Sequence, residues 1–322
     1  MFWLGLLLFI QSAVAGPFTA KTMRQDWPVE RIEREFTLPK GWFQVGLQVN
    51  HKMTSQYRDA DGRLKTYPEP VRWNYSEFQL TVEHGFSDRT RLYLVLPLIH
   101  AHLRTADDGH IRTTGIGDAN AGLWFQPWRW QRGSVAFQAN LKTPSGVEWT
   151  QDAGFLTGTG LTNLSLTAHG RMKWVPIWSS TLSIGYTLKF PAIVGYVLEE
   201  DGFGNGRLDA GDAFDVRLTQ TLQFGPRLSA DVRTAFSYRG ATYVGAAGPG
   251  ISWYDPYYLY DPAYFMDVGG ALYFEPVKWI DVHLDIGYQV LGTTTLPFST
   301  LGLEEFSPQP GVTLGLGADI RW

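Results

Sequence analysis

The residues best suited to chemistry stand in the stretch DGFGNGRLDAGD, residues 201–212. Asp201, Asn205, Gly206, Leu208, Asp209 and Asp212 occupy offsets 1, 5, 6, 8, 9 and 12 of the EF-hand calcium loop. Carboxylates, an amide and a backbone carbonyl are hard oxygen donors that suit Ca2+, and Gly206 permits the sharp turn such a loop needs. The match is partial. Phe203 fills offset 3, where the pattern wants Asp or Asn, and Asp212 replaces the longer, bidentate Glu. No amphipathic helices flank the stretch, so it is not an EF-hand module. Two readings stand. One is a structural calcium site held by Asp201, Asn205, the Arg207 carbonyl, Asp209 and Asp212. The other is a turn made of Gly, Asn and Asp because these residues tolerate tight backbone geometry.

Asp281, His283 and Asp285 form a second group at i, i+2 and i+4. A metal needs its ligands within about 2–2.6 Å. On a strand, residues two apart stand about 6.6 Å from each other, so this trio does not ligate unaided and reads as the polar face of a strand. Asp215/Arg217, Asp231/Arg233 and Asp319/Arg321 repeat the same acid–base alternation. Hydrolytic chemistry would need a nucleophile, a base and an orienting group brought together. No G-x-S-x-G occurs, His169 and His283 fall on polar faces, and His84 lies on an apolar face without an evident serine. His51, His100, His102 and His110 fall in loops or at loop edges.

The elements that must carry these residues are strands. From Gly41 onward apolar and polar residues alternate with period 2: Phe43, Val45, Leu47 and Val49 interleave with Gln44, Gly46, Gln48 and Asn50. Twelve such runs lie near 41–50, 73–85, 90–100, 116–126, 134–143, 161–174, 179–190, 213–224, 228–239, 264–275, 280–291 and 311–322. Long connections (51–72, 101–115, 144–160, 191–212, 240–263, 292–310) alternate with tight ones. That rhythm, with an even strand count, is the pattern of an up-and-down outer-membrane barrel. The runs match the roughly 9–11 residues that a tilted transmembrane strand needs and exceed the usual soluble strand.

Aromatic residues gather beside the short turns: Phe86, Trp128, Trp130, Trp174, Trp178, Phe224, Phe274 and Trp279. Amphipathic rings favour the headgroup boundary, so these read as one girdle of a barrel. Closure follows from the solvent, since hydrocarbon cannot satisfy a free sheet edge. The fold class expected is therefore all-β, a 12-stranded antiparallel up-and-down transmembrane β-barrel over residues 40–322. Its lumen would be lined by Asp215, Arg217, Asp231, Arg233, Asp281, His283, Asp285, Asp319 and Arg321, with charges of opposite sign pairing across strands. The last run, GVTLGLGADIRW, closes on Trp322 and resembles the signal by which outer-membrane proteins engage the barrel assembly machinery.

The remaining segments and the composition agree with this placement. Residues 1–15 carry an apolar run from Phe2 to Ile10 and a small-x-small site, Ala13-Val14-Ala15, as a secretory signal peptide does. Residues 16–39 read as an extension that stays in the periplasm or enters the lumen as a small plug. Trp27, Ile32 and Phe36 suggest one short amphipathic helix there, with Pro28 at its start. The 322 residues include no cysteine and carry a formal net charge of −4. They hold no disulfide framework, no thiolate metal site and no basic footprint for nucleic acid.

Five segments resemble the outer-membrane family named for the MetA pathway of phenol degradation: EREFTLPKGWFQVGLQV (33–49), VEHGFSDRTRLYLVLPL (82–98), GIGDANAGLWF (115–125), LKTPSG (141–146) and TGTGLTNLSL (157–166). They cover the N-terminal half, while the C-terminal half matches in architecture. The resemblance implies a barrel in the bacterial outer membrane that passes small compounds, hydrophobic ones within the class. It does not make phenol the substrate and supplies no set of chemical residues. The function expected is passive passage of small-molecule solutes through a lipid-embedded channel, without enzymatic activity and with no cofactor beyond the candidate calcium. The alternative is a non-conducting structural or surface-binding barrel that works through its extracellular loops, among them the Tyr- and Trp-rich 251–265.

Overall fold

The computed structural model describes residues 28, 30–58, 62–67, 69–104, 109–146, 158–199, 202–246, 258–293 and 311–322. Twelve antiparallel strand positions close on themselves. In chain order the barrel begins with β1 (Phe43–Thr54). A small hairpin, β2 (Gln56–Arg58) and β3 (Leu64–Thr66), separates it from β4 (Arg72–Ser87) and β5 (Thr90–Arg104). The fourth position is shared by β6 (His110–Ile116) and β7 (Asn120–Trp130), each of which pairs with one half of β5. Then come β8 (Gly133–Lys142), β9 (Asn163–Val175) and β10 (Trp178–Lys189). After β11 (Ala192–Glu199) and β12 (Gly202–Asp209), which leave the barrel, β13 (Ala213–Gly225) and β14 (Leu228–Arg239) continue it. A further pair, β15 (Thr242–Ala246) and β16 (Tyr258–Tyr260), precedes β17 (Ala263–Val277), β18 (Ile280–Gly292) and β19 (Val312–Arg321). β19 pairs with β1, from Gln44↔Arg321 to Met53↔Val312. At the end of this pairing, Phe43 and Trp322 exchange both backbone hydrogen bonds, at 2.9 and 3.0 Å.

Closure and alternation together explain why these residues form these strands. Every ladder bond is made within the sheet, as a low-dielectric surround demands. The outward row is apolar: Leu47 (62% exposed), Leu316 (58%), Leu284 (56%) and Ile286 (56%) project from the wall. In water, so large a continuous apolar surface would drive association; in a bilayer it is the stable arrangement. The tryptophans and phenylalanines beside the short turns also point outward. Trp174 Nε1 donates to Ser180 and Trp178 Nε1 to Gln220, both at 2.7 Å, so these indoles keep a polar handle at the boundary. A cation placed inside the apolar band has no such handle. Leu284→Arg is therefore expected to cost about 2–4 kcal/mol of unfolding free energy, measured by urea titration in lipid vesicles. A change within error would contradict this assignment of the outer face.

Three sequence expectations are corrected. The run placed at 116–126 continues to Trp130, because a bulge between Phe125 and Trp128 absorbs Pro127, which has no N–H to give the ladder. The long connections 191–212 and 240–263 hold more regular structure than loops: β11, β12, β15 and β16 form their own four-stranded sheet. AIVGYVLE, an apolar run, pairs as β11 with β12 beyond the barrel wall. Finally, the helix expected around Ile32 and Phe36 shrinks to one 3-10 turn, Arg31–Glu33. The N–H of Ile32 goes to Gln223 Oε1 (3.3 Å) and that of Phe36 to Gln126 Oε1 (3.0 Å), so side chains of the barrel replace the helical acceptors. Trp27 and the signal-peptide stretch lie outside the described residues.

Candidate functional site

The lumen is built from alternate residues of the twelve strands, and its polarity follows from the alternation. At the end that carries the short turns, residues 30–42 enter the barrel. The chain crosses β4 at Gly85, whose N–H donates to Trp42 O (2.8 Å) and whose carbonyl accepts from Gly41 N (2.7 Å). A Cβ on Gly85 would collide with the Pro39 carbonyl. Only glycine lets the two backbones approach so closely, and Gly41 itself takes φ +80° to turn the chain. Lys40 N and Thr37 Oγ1 then fasten to Asp88, at 3.0 Å on its carboxylate and 3.1 Å on its carbonyl.

Deeper in, the segment is held mainly by charge. Arg34 is 7% exposed and pairs with Glu275; its other terminal nitrogen lies 3.4 Å from Asp281 Oδ2. The same carboxylate oxygen receives Arg321 Nη2 at 3.1 Å and stands 3.7 Å from Arg31 Nη1. Arg31 also lies 3.6 Å from Asp231, and its guanidinium rests 3.4 Å from the Tyr273 ring centroid. On the opposite wall Lys173 bonds both oxygens of Glu33, at 2.6 and 2.8 Å, and Arg129 bonds Glu35 at 2.8 Å. Phe36 stacks on Trp124 with centroids 5.7 Å apart, under the guanidinium of Arg171 at 4.4 Å. Sequence left the choice between periplasmic extension and plug open; in the structure residues 31–38 fill part of the short-turn mouth.

Above the segment lie two cavities, of about 400 and 350 Å3. The lower one is bounded by Arg31, Ile32 and residues 34–38 and by Trp124, His169, Arg171 and Tyr273. The upper one lies toward the long-connection end, among Asn50, Tyr75, Glu77, Asp267 and Asp285. Arg217 and Arg233 line both, so the two spaces meet at their level.

The residues expected to line the lumen stand as follows. Arg217, Arg233, Asp231, Asp319 and Arg321 border the lower cavity and Asp285 the upper. Arg233 bonds Asp285 at 3.0 Å, and Arg239, which the sequence did not single out, lies 3.3 Å from Asp215. His283 Nε2 is 3.5 Å from Asp285, and Asp281 is fully buried by its three arginines. Opposite charges thus pair across strands, and the pairs narrow the bore.

Of the calcium-loop residues, Asp201 lies outside the described residues. Asn205 and Arg207 fall on β12, extended and paired with β11 at Gly195↔Asn205 and Ile193↔Arg207. The Asp212 carboxylate accepts from Tyr186 Oη and from Lys189 N (3.1 Å), and Asp209 Oδ1 from Gly211 N (3.4 Å). Among the described residues no group of three or more acidic, histidine or cysteine side chains is placed to hold a metal. Of the aromatic segment 251–265, residues 251–257 lie outside the described residues.

Two features escaped the sequence. His169 Nδ1 pairs with Ser183 Oγ inside the lumen at 2.9 Å, and His51 Nδ1 with Ser76 Oγ on the outer face, also at 2.9 Å. His51, Ser76, His100 and Thr114 form one row across β1, β4, β5 and β6. These histidines sit on strands rather than in loops, because pairing extends past the apolar band; the row marks its polar upper limit. Among the described residues no carboxylate bonds His51 or His169, so neither pair has the third member that would orient a catalytic imidazole.

No family model and no curated protein matches the sequence. Among solved structures the chain is similar to an outer membrane channel from Pseudomonas putida F1. The TM-score is 0.69 at 14% identity, over 93% of this chain and 99% of that one. The translocator domain of the autotransporter NalP from Neisseria meningitidis aligns with TM-score 0.49 and 10% identity, over 88% and 90% of the two chains. A deltaS2 mutant of the TodX monoaromatic hydrocarbon channel gives 0.44 and 11%, again over 88% and 90%. At such identities the likeness is one of fold, that of the outer-membrane β-barrel.

Proposed function

We propose that this barrel is a passive channel of the bacterial outer membrane for small molecules, with residues 31–38 narrowing its periplasmic mouth. The observation that carries the reading is the division of the wall. The outer face carries a continuous apolar band, while the inner face is polar and encloses two cavities of about 400 and 350 Å3 that meet at Arg217 and Arg233. A polar bore through an apolar barrel is the arrangement by which solutes cross an outer membrane. Twelve strands make a narrower cylinder than the 16–18 of open porins, so inward side chains and a short inserted segment are enough to restrict it. The sequence has no nucleotide-binding element, and a concentration gradient is the driving force.

The resemblance to the family named for the MetA pathway of phenol degradation supports small compounds as the cargo class, and the P. putida channel supports the architecture. Liposomes that contain the refolded barrel are expected to swell in uncharged solutes of graded size, with rates that fall steeply as size increases. Absence of swelling for every solute, in a barrel shown to be folded and free of residues 28–36, would overturn the channel reading in favour of a surface-binding barrel.

A further inference from the structure

The charges of the lumen are unevenly distributed. β8, β9 and β10 contain no aspartate or glutamate, while Lys142, Arg171, Lys173 and Lys189 face inward from them. Most lumen acids, Asp231, Glu275, Asp281, Asp285, Asp319 and Glu83 among them, lie on the opposite wall, from β14 round to β4, while Asp215, on β13 with Arg217, is taken up by Ser237 and Arg239. The lower cavity reflects this: seven arginines border it against three carboxylates, Glu35, Asp231 and Asp319. Five of the arginines have acidic partners in the structure. Arg31 meets Asp231, Arg34 meets Glu275, Arg91 meets Glu83, Arg233 meets Asp285 and Arg321 meets Asp281. Among the described residues Arg171 and Arg217 pair with no carboxylate.

Their neighbours explain why. Across the inner face, Arg217 stands beside Ser183 on one strand and Ala235 on the other, with His169 one strand further. Ser183 and Ala235 are too small and too neutral to occupy a guanidinium, and Arg217 is solvent-exposed within the bore. Arg171 shares its row with Thr181 and Thr219. It donates to the Arg34 carbonyl and covers the Phe36 ring, so no carboxylate holds it in a direct ion pair. Two strand spacings separate β9 from β13, about 10 Å, within reach of two arginine side chains that border one cavity. Ser183, Thr181 and Thr219 place hydroxyl donors between them, and Trp124, stacked on His169 at 4.3 Å, gives the cavity an apolar flank.

We propose that this wall is a binding site for small organic carboxylates, with Arg217 as the primary contact and Arg171 as the second charge. A planar carboxylate matches the guanidinium fork, and hydroxyl donors suit its remaining lone pairs. The inference names the cargo class of the channel reading and rests on it for biological meaning. Its test is independent of conduction: calorimetric titration of the folded barrel, in zwitterionic detergent, with benzoate and with neutral benzyl alcohol. Benzoate is expected to bind measurably more tightly than benzyl alcohol. Arg217→Gln should weaken benzoate roughly tenfold, the loss of about one charge-assisted hydrogen bond, without altering the weak response to benzyl alcohol. Arg217→Lys, which keeps the charge, should recover part of the affinity. Equal binding of acid and alcohol, unchanged benzoate binding by Arg217→Gln, or displacement by chloride at the same concentration as acetate would each overturn the carboxylate site. Failure of the barrel to conduct would instead count against the channel.

Discussion

Arg34→Ala is expected to convert the restricted barrel into one that conducts several-fold more current in planar bilayers. Arg34 is the residue through which the inserted segment is electrostatically locked. Its guanidinium meets Glu275 and Asp281, which are 3% and 0% exposed. Removing one partner of a buried pair leaves an uncompensated charge, at a cost of about 3–5 kcal/mol. Charged to the docked state alone, that sum moves the ratio of docked to undocked segment by roughly two to four orders of magnitude. Arg31 keeps its longer contacts with Asp231 and Asp281, at 3.6 and 3.7 Å, while Lys173–Glu33 and Arg129–Glu35 are more exposed, and exposed pairs of that kind hold only about 0.2–1 kcal/mol each. A chain lacking residues 28–36 should show the same high-conductance state permanently. Equal conductance in wild type, Arg34→Ala and the deletion would mean that the segment does not limit the bore.

The second large effect is expected at Asp281. Three guanidinium groups converge on its Oδ2, from Arg34, Arg31 and Arg321. Arg321 is a residue of the closing strand and also holds Gln44 of β1 at 2.8 Å. Asp281→Ala removes the buried counter-charge on which three guanidinium groups converge, and is expected to lower barrel stability by about 3–5 kcal/mol. The check is the urea midpoint of the barrel in vesicles, followed by its heat-modifiable migration on gels. Replacing Asp281 and Arg321 together by leucine and methionine should cost less than the single alanine, because both charges leave at once. A single variant as stable as wild type would show that the cluster contributes nothing to closure.

These two residues also mark where the sequence stops being legible. The twelve strands were readable because period-2 alternation is local and because hydrocarbon outside and polarity inside enforce it on every strand. Asp281, Asp285 and Arg321 were therefore assigned to the lumen from their own neighbours. The role of residues 31–38 was not readable in the same way. Arg34 meets acids 241 and 247 positions away, and no local period encodes such a meeting. The only sequence sign was compositional, a mixed-charge stretch, RIERE, ahead of the first strand. The extra hairpins β11–β12 and β15–β16 were missed for a third reason. AIVGYVLE is an apolar run without period 2, and GFGNGRLD is rich in Gly, Asn and Asp, the residues of turns, so neither carries a local strand signal. The outward row His51–Ser76–His100–Thr114 was missed because it exists only once four strands are in register.

The central claim is that solute crosses through this lumen. The chain contains no cysteine, so a single introduced thiol reports its own site. Thr219 borders the lower cavity, and its neighbour Leu218 faces outward, 42% exposed. In planar bilayers containing the variant without residues 28–36, a membrane-impermeant methanethiosulfonate is expected to cut the current in discrete steps when Thr219→Cys is present. It should leave the current unchanged with Leu218→Cys. Current that survives complete modification of Thr219→Cys would contradict the account, because the ions would then be passing somewhere other than through the barrel.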